Sequence, residues 1–187
     1  MDAFSYLSVL LSIILGFAIT QVLQGFRGLM LARTRVRMYW PSVAWAMLLL
    51  VLDVQVWWAM YDLRFRHEWS FLGFATVLAQ TVPLYLLAGL VLPDIGIEGS
   101  VDLRTHYYEN HRWFFSLLIL LSSISISKDA VLNGSLPAPL NLGFQLIFIA
   151  GSLVGALNSR EWCHKALLPF SVVVLLTYIA MLFGHLR

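Results

Sequence analysis

Six apolar stretches, each about long enough to cross a bilayer, fill most of the 187 residues of this chain. A transmembrane helix needs ~20 mostly apolar residues. Six such windows can be read, at 4–26, 41–63, 70–92, 113–133, 140–158 and 166–186. Charged residues make up only 12% of the chain and apolar ones 60%, whereas a soluble domain carries about 25% charge. The expected fold class is therefore an all-α integral membrane protein. Its six transmembrane helices should form one compact bundle, a single domain over residues 1–187.

The chain opens Met1-Asp2-Ala3 with no basic stretch before the first apolar run. That run is expected to stay as a span and not to act as a cleaved leader. The lone Cys163 allows no intramolecular disulfide. Scattered basic residues argue against nucleic acid as a partner. The expected partners are the lipid bilayer and, in a homo-oligomer, further copies of the chain. No nucleotide, metal or nucleophile motif stands out, so no catalytic residue, cofactor or metal is assigned.

Lys and Arg mark the cytoplasmic side of a membrane protein. The first, third and fifth connections hold eight of them: Arg27, Arg33, Arg35, Arg37, Arg104, Arg112, Arg160 and Lys165. The other side holds four: Arg64, Arg66, Arg187 and Lys128. Both termini are thus expected outside, with the Arg-rich first loop in the cytoplasm of a bacterial inner membrane. Tyr39, Trp40, Tyr107, Tyr108, Trp113 and Trp162 fall at the inner headgroup level, and Tyr61 and Trp69 at the outer one. Pro41 suits the first turn of span two. Asn133-Gly134 before Pro137 and Pro139 reads as a helix stop and a tight turn. Leu103, Tyr107, His111 and Phe114 share helical spacing, which predicts a short interfacial helix running into span four.

Several spans carry packing devices. Ser8, Ser12, Gly16, Thr20, Gln24 and Gly28 recur every four residues and therefore share one face of span one. Small-residue seams let helices approach closely in lipid, so this stripe is expected to pack on a neighbouring helix. Gly151 and Gly155 read the same way. Ser116, Ser123 and Ser127 on one face of span four, with Ser122, Ser125 and Asp129 on another, predict a central helix. Lys128 reads as a lysine snorkelling to the outer interface beside Asp129. Pro41 and Pro139, and Tyr85 and Tyr178, occupy loosely matching places in the two halves. That match hints at a 3+3 inverted repeat, although chance coincidence explains it better.

Depth follows from the ~1.5 Å rise per helical residue. Asp53 lies about 18 Å from the cytoplasmic end, near the middle of a ~30 Å core. Gln80, Gln145, Ser123 and Tyr178 fall at a similar level, with Lys128 about 5 Å shallower from the outside. An acid there costs ~2.5–3.5 kcal/mol on insertion scales. Asp53 is therefore expected to face the interior, with Gln80 or Gln145 in hydrogen-bonding reach. Intramembrane ionisable groups are functional candidates by default. The transport and polar-layer candidates are thus Asp53, Gln80, Gln145, Ser123, Tyr178, Lys128 and Asp129.

His67, His106, His111, His164 and His185 all sit in connections or at span ends, which disfavours haem between helices. His106 and His111, beside Asp102 and Glu109, read as solvated interface residues and not as a metal site. The six-span size and the opening Ala3-Phe4-Ser5 are similar to those of small bacterial potassium channels related to lysosomal ones. Those channels carry an Asp directly after Phe-Ser, where Tyr6 stands here, so the family is not assigned. The leading expectation is a channel or transporter for a small ion or solute, using the polar layer around Asp53. The alternative is a non-transporting membrane subunit or sensor whose polar layer serves packing. A lipid-modifying enzyme at the His-rich interface ranks third.

Overall fold

The computed structural model describes residues 3–66, 68–96 and 100–182. His67, His185 and Arg187, weighed above for haem and for charge, lie outside them. Six helices are long and apolar enough to cross a membrane. They are α1 (Ala3–Leu31), α2 (Trp40–Met60), α3 (Phe71–Val91), α4 (Leu103–Asn133), α5 (Pro139–Leu157) and α6 (Glu161–Leu182). A 3-10 turn, Tyr61–Phe65, extends α2.

Local chemistry sets these boundaries. Ser70 caps α3 by accepting from the Gly73 N–H at 3.0 Å. Asp102 caps α4, accepting from Arg104 N at 2.8 Å and Thr105 N at 3.3 Å. The interfacial helix expected before span four is therefore the first turns of α4 itself. Gly134 ends that helix in the left-handed region, φ 67°, where a side chain would be strained. Pro41 and Pro139 both lie in first turns, as expected.

Packing contacts place the helices in a closed order, α1–α2–α6–α5–α4–α3 and back to α1, with α2 also on α3. Helices α2 to α6 therefore surround a common interior. The residues bounding it come from those five helices, and α1 lies against α2 and α3 outside it. At the end where α1 finishes, Val36–Arg37 (β1) and Val101–Asp102 (β2) pair in parallel. No strand was expected there. The pairing ties the α1–α2 connection to the α3–α4 connection.

Two packing expectations are corrected. The middle of the small and polar stripe of α1 is turned away from the other described helices, and only its ends, Ser8 and Gly28, are half-buried. Ser12, Gly16, Thr20 and Gln24 are exposed, and a Cβ at Gly16 would meet nothing within 4 Å. The buried face is apolar instead: Leu7, Leu11, Leu15, Ala18 and Val22. Four-residue spacing shows that residues share a face, but not what that face meets. Second, α4 is a wall of the bundle and not its centre. Ser116 and Ser127 are exposed, and Ser123 is half-buried. Ser123 Oγ and Ser127 Oγ donate to carbonyls four residues back, at 2.8 Å and 2.9 Å. A serine satisfied by its own helix tolerates an apolar surrounding, which removes the reason to bury it.

The seam expected at Gly151 and Gly155 is present. A Cβ on Gly155 would fall 2.7 Å from the ring of Phe115, which is fully buried. The repeat correspondence does not extend to environment, since Tyr85 is exposed and Tyr178 buried.

Candidate functional site

The interior holds two adjoining cavities. The larger, ≈ 610 Å³, lies toward the end bearing the Tyr61–Phe65 turn, and its wall includes Asp62, Arg66, Lys128, Asp129, Asn133 and Asn141. The smaller, ≈ 80 Å³, continues deeper between Trp45, Leu121, Gln145, Ser152 and Ser171. Gln55, Val56, Gln80, Ser125 and Tyr178 border both. The outer space is charged and polar, while no ionisable group other than the Tyr178 phenol lines the inner one.

Side chains of the outer cavity are held by specific bonds. Lys128 Nζ donates to Gln80 Oε1 at 2.9 Å, joining α4 to α3. Its ammonium is thus turned inward, which corrects the snorkelling expectation. Among the described residues it makes no ion pair with Asp129 within 4.0 Å. Arg66 donates to the Leu132 carbonyl and, at 2.8 Å, to Asn133 Oδ1, fastening the α2–α3 connection over the end of α4. Asn141 Oδ1 accepts from Tyr178 Oη at 3.1 Å and from Gln145 Nε2 at 2.9 Å. This relay joins α5 to α6 at the junction of the two cavities.

Five of the seven candidates from the sequence therefore meet in one place: Gln80, Gln145, Tyr178, Lys128 and Asp129. Ser123 does not, being turned to its own helix. Asp53 does not either. It is buried, 1% exposed, as expected, but it lines neither cavity. At ~100° per residue it projects about 160° away from Gln55, which does line them. Neither glutamine bonds it; Gln80 bonds Lys128 and Gln145 bonds Asn141. Both carboxyl oxygens are without a hydrogen-bond partner among the described residues.

The opposite end is closed by rings. Trp45 stacks edge-on against Phe114 and Phe115, with centroids 5.3 Å and 5.4 Å away. Beyond them, His164 is fully buried. Its Nε2–H donates to the Asn158 carbonyl at 2.6 Å, so Nδ1 is left to accept from Tyr107 Oη at 2.9 Å. His111 is buried too and donates from Nδ1 to the Tyr108 carbonyl at 2.6 Å. The Tyr39 and Tyr108 hydroxyls lie 3.1 Å apart. Burial, with the Tyr108 hydroxyl beside it, pushes the Tyr39 phenol above its ordinary range and keeps it protonated. His111 is thus not the solvated interface residue expected, and His164, placed only at a span end by the sequence, is buried beside it. They are parts of an aromatic plug assembled from α2, α4 and α6. His106 stands apart and bonds the Leu90 carbonyl at 3.0 Å.

No protein-family model, curated protein or solved structure matches this chain. The class the fold supports is a six-helix bundle whose helices are long and apolar enough to cross a membrane, and its candidate site is the two-part chamber.

Proposed function

We propose that this chain is an integral membrane protein that admits a small solute or ion into the chamber from one side and passes it across the bilayer. The observation that carries the reading is that a polar outer cavity adjoins a deeper inner one and shares five lining residues with it, inside a wall made by five helices. Lys128, Gln80, Asn141 and Tyr178 are the groups that would meet a solute on its way inward. The aromatic plug around Trp45 closes the far end, so passage needs a change of shape there, as in a carrier with alternating access. A bacterial inner membrane, with both termini outside, is part of the same reading and rests on the loop asymmetry of Lys and Arg.

Flux in proteoliposomes tests it. Lys128→Met keeps the apolar stem and removes the ammonium and its bond to Gln80. The expected result is a loss of flux of about tenfold or more, roughly that of one charge-assisted hydrogen bond, with folding retained. Wild-type protein passing no ion or small polar solute, while co-purifying with a partner, would favour the non-transporting subunit. That alternative draws support from the closed far end. Topology has its own check. A cysteine at Ser135 should be labelled from outside and one at Thr34 should not. Labelling at Thr34 alone reverses the orientation.

A further inference from the structure

The inner cavity is lined by no Asp, Glu, Lys, Arg or His among the described residues and leaves one buried polar atom unused. Gln145 lines it and is 6% exposed. Its Nε2 donates to Asn141 Oδ1, the same oxygen that takes the Tyr178 hydroxyl. That shared acceptor orients the Gln145 amide. The remaining carbonyl oxygen, Oε1, is buried and has no partner among the described residues. A buried acceptor left unpaired is costly, and such atoms are normally met by a donor.

The surrounding wall is mostly apolar, from Leu48, Leu52, Leu118 and Phe148, with hydroxyls at Ser152 and Ser171. An ion entering would leave Lys128 and Asp129 behind and find no countercharge, a large desolvation cost. A cavity of ≈ 80 Å³ exceeds the ~10–15 Å³ needed for one water. Gln55 also borders an apolar groove between α2 and α6 on the outer surface of the bundle, beside Val54, Trp58 and Ile179.

We propose that the inner cavity binds a small uncharged molecule carrying an N–H or O–H donor on an apolar body, the class of short-chain amides and alcohols. The donor engages Gln145 Oε1 and the apolar body lies along the leucines. This narrows the solute of the pathway reading and rests on that reading for its route of access.

Equilibrium binding of radiolabelled butyramide to the purified full chain in detergent is the test. Saturable binding is expected, displaced by unlabelled butanol but not by butyrate or butylammonium. Gln145→Met should weaken it roughly tenfold, the effect of losing one hydrogen bond to a buried neutral group. Ser152→Leu, which fills the cavity from α5, should abolish it and serves if the methionine variant fails to fold. Equal displacement by butyrate or butylammonium would overturn the proposal, as would unchanged affinity in Gln145→Met. An absence of saturable binding would assign the cavity to water and overturn it too. Flux without butyramide binding removes this site and leaves the pathway. Binding without flux does the reverse.

Discussion

Replacing Gly155 with alanine should destabilise the protein by about 1–3 kcal/mol, the range for forcing an added carbon into a filled core. The new Cβ would stand 2.7 Å from two atoms of the Phe115 ring. That ring is fully buried and stacked on both Trp45 and Phe114, so it has nowhere to withdraw. Valine at the same place should cost more. Gly143→Ala on the same helix is the control, since nothing lies within 4 Å of its Cβ. Alanine also favours a helix over glycine by about 1 kcal/mol. Melting midpoints in detergent should therefore fall for Gly155→Ala and hold or rise for Gly143→Ala. Equal behaviour of the two would mean that Phe115 does not occupy the Gly155 notch.

The second large effect is a gain. Asp53→Leu should raise the melting midpoint, because it removes two buried oxygens without partners and supplies apolar atoms in a side chain of similar shape. An unsatisfied buried polar group costs about 1–3 kcal/mol. Asp53→Asn should give no such gain, since the amide would be as poorly partnered as the acid. Both variants are expected to keep flux, because Asp53 borders neither cavity. Loss of flux in both, with folding intact, would relocate the pathway to Asp53 and the face of α2 it occupies.

The contrast between Asp53 and Gln145 shows what could be read from the sequence. Burial of each was legible, because a polar group far from the span ends, which Pro41, Gly134 and Pro139 mark, is costly to leave facing lipid. Direction around the helix is a separate matter. Span two carries polar groups on nearly opposite sides, Asp53 and Gln55, so its pattern does not say which side meets the chamber, and Gln55 was missed. The stripe of α1 failed for a related reason: its spacing was legible, but its neighbour was not. The aromatic plug was least legible. Tyr39, Tyr107 and His164 are far apart in the chain and meet only because three helix ends converge. Lone histidines at span ends gave no sign of that. Gln80, Gln145 and Tyr178 line the chamber because polar groups of different spans tend to be gathered inward, where water or one another can satisfy them.

The short parallel pairing of Val36–Arg37 with Val101–Asp102 has a mechanical consequence. It welds the connections before α2 and α4 into one piece. Among the described residues, α6 is joined to that piece across the charged surface by Arg104 and Glu161, 2.9 Å apart and both partly in solvent. A screened pair of that kind gives way far more easily than a backbone ladder. Rising salt therefore loosens the outer edge of that joint first and leaves its hold to the buried Tyr107–His164 bond and the rings packed around it.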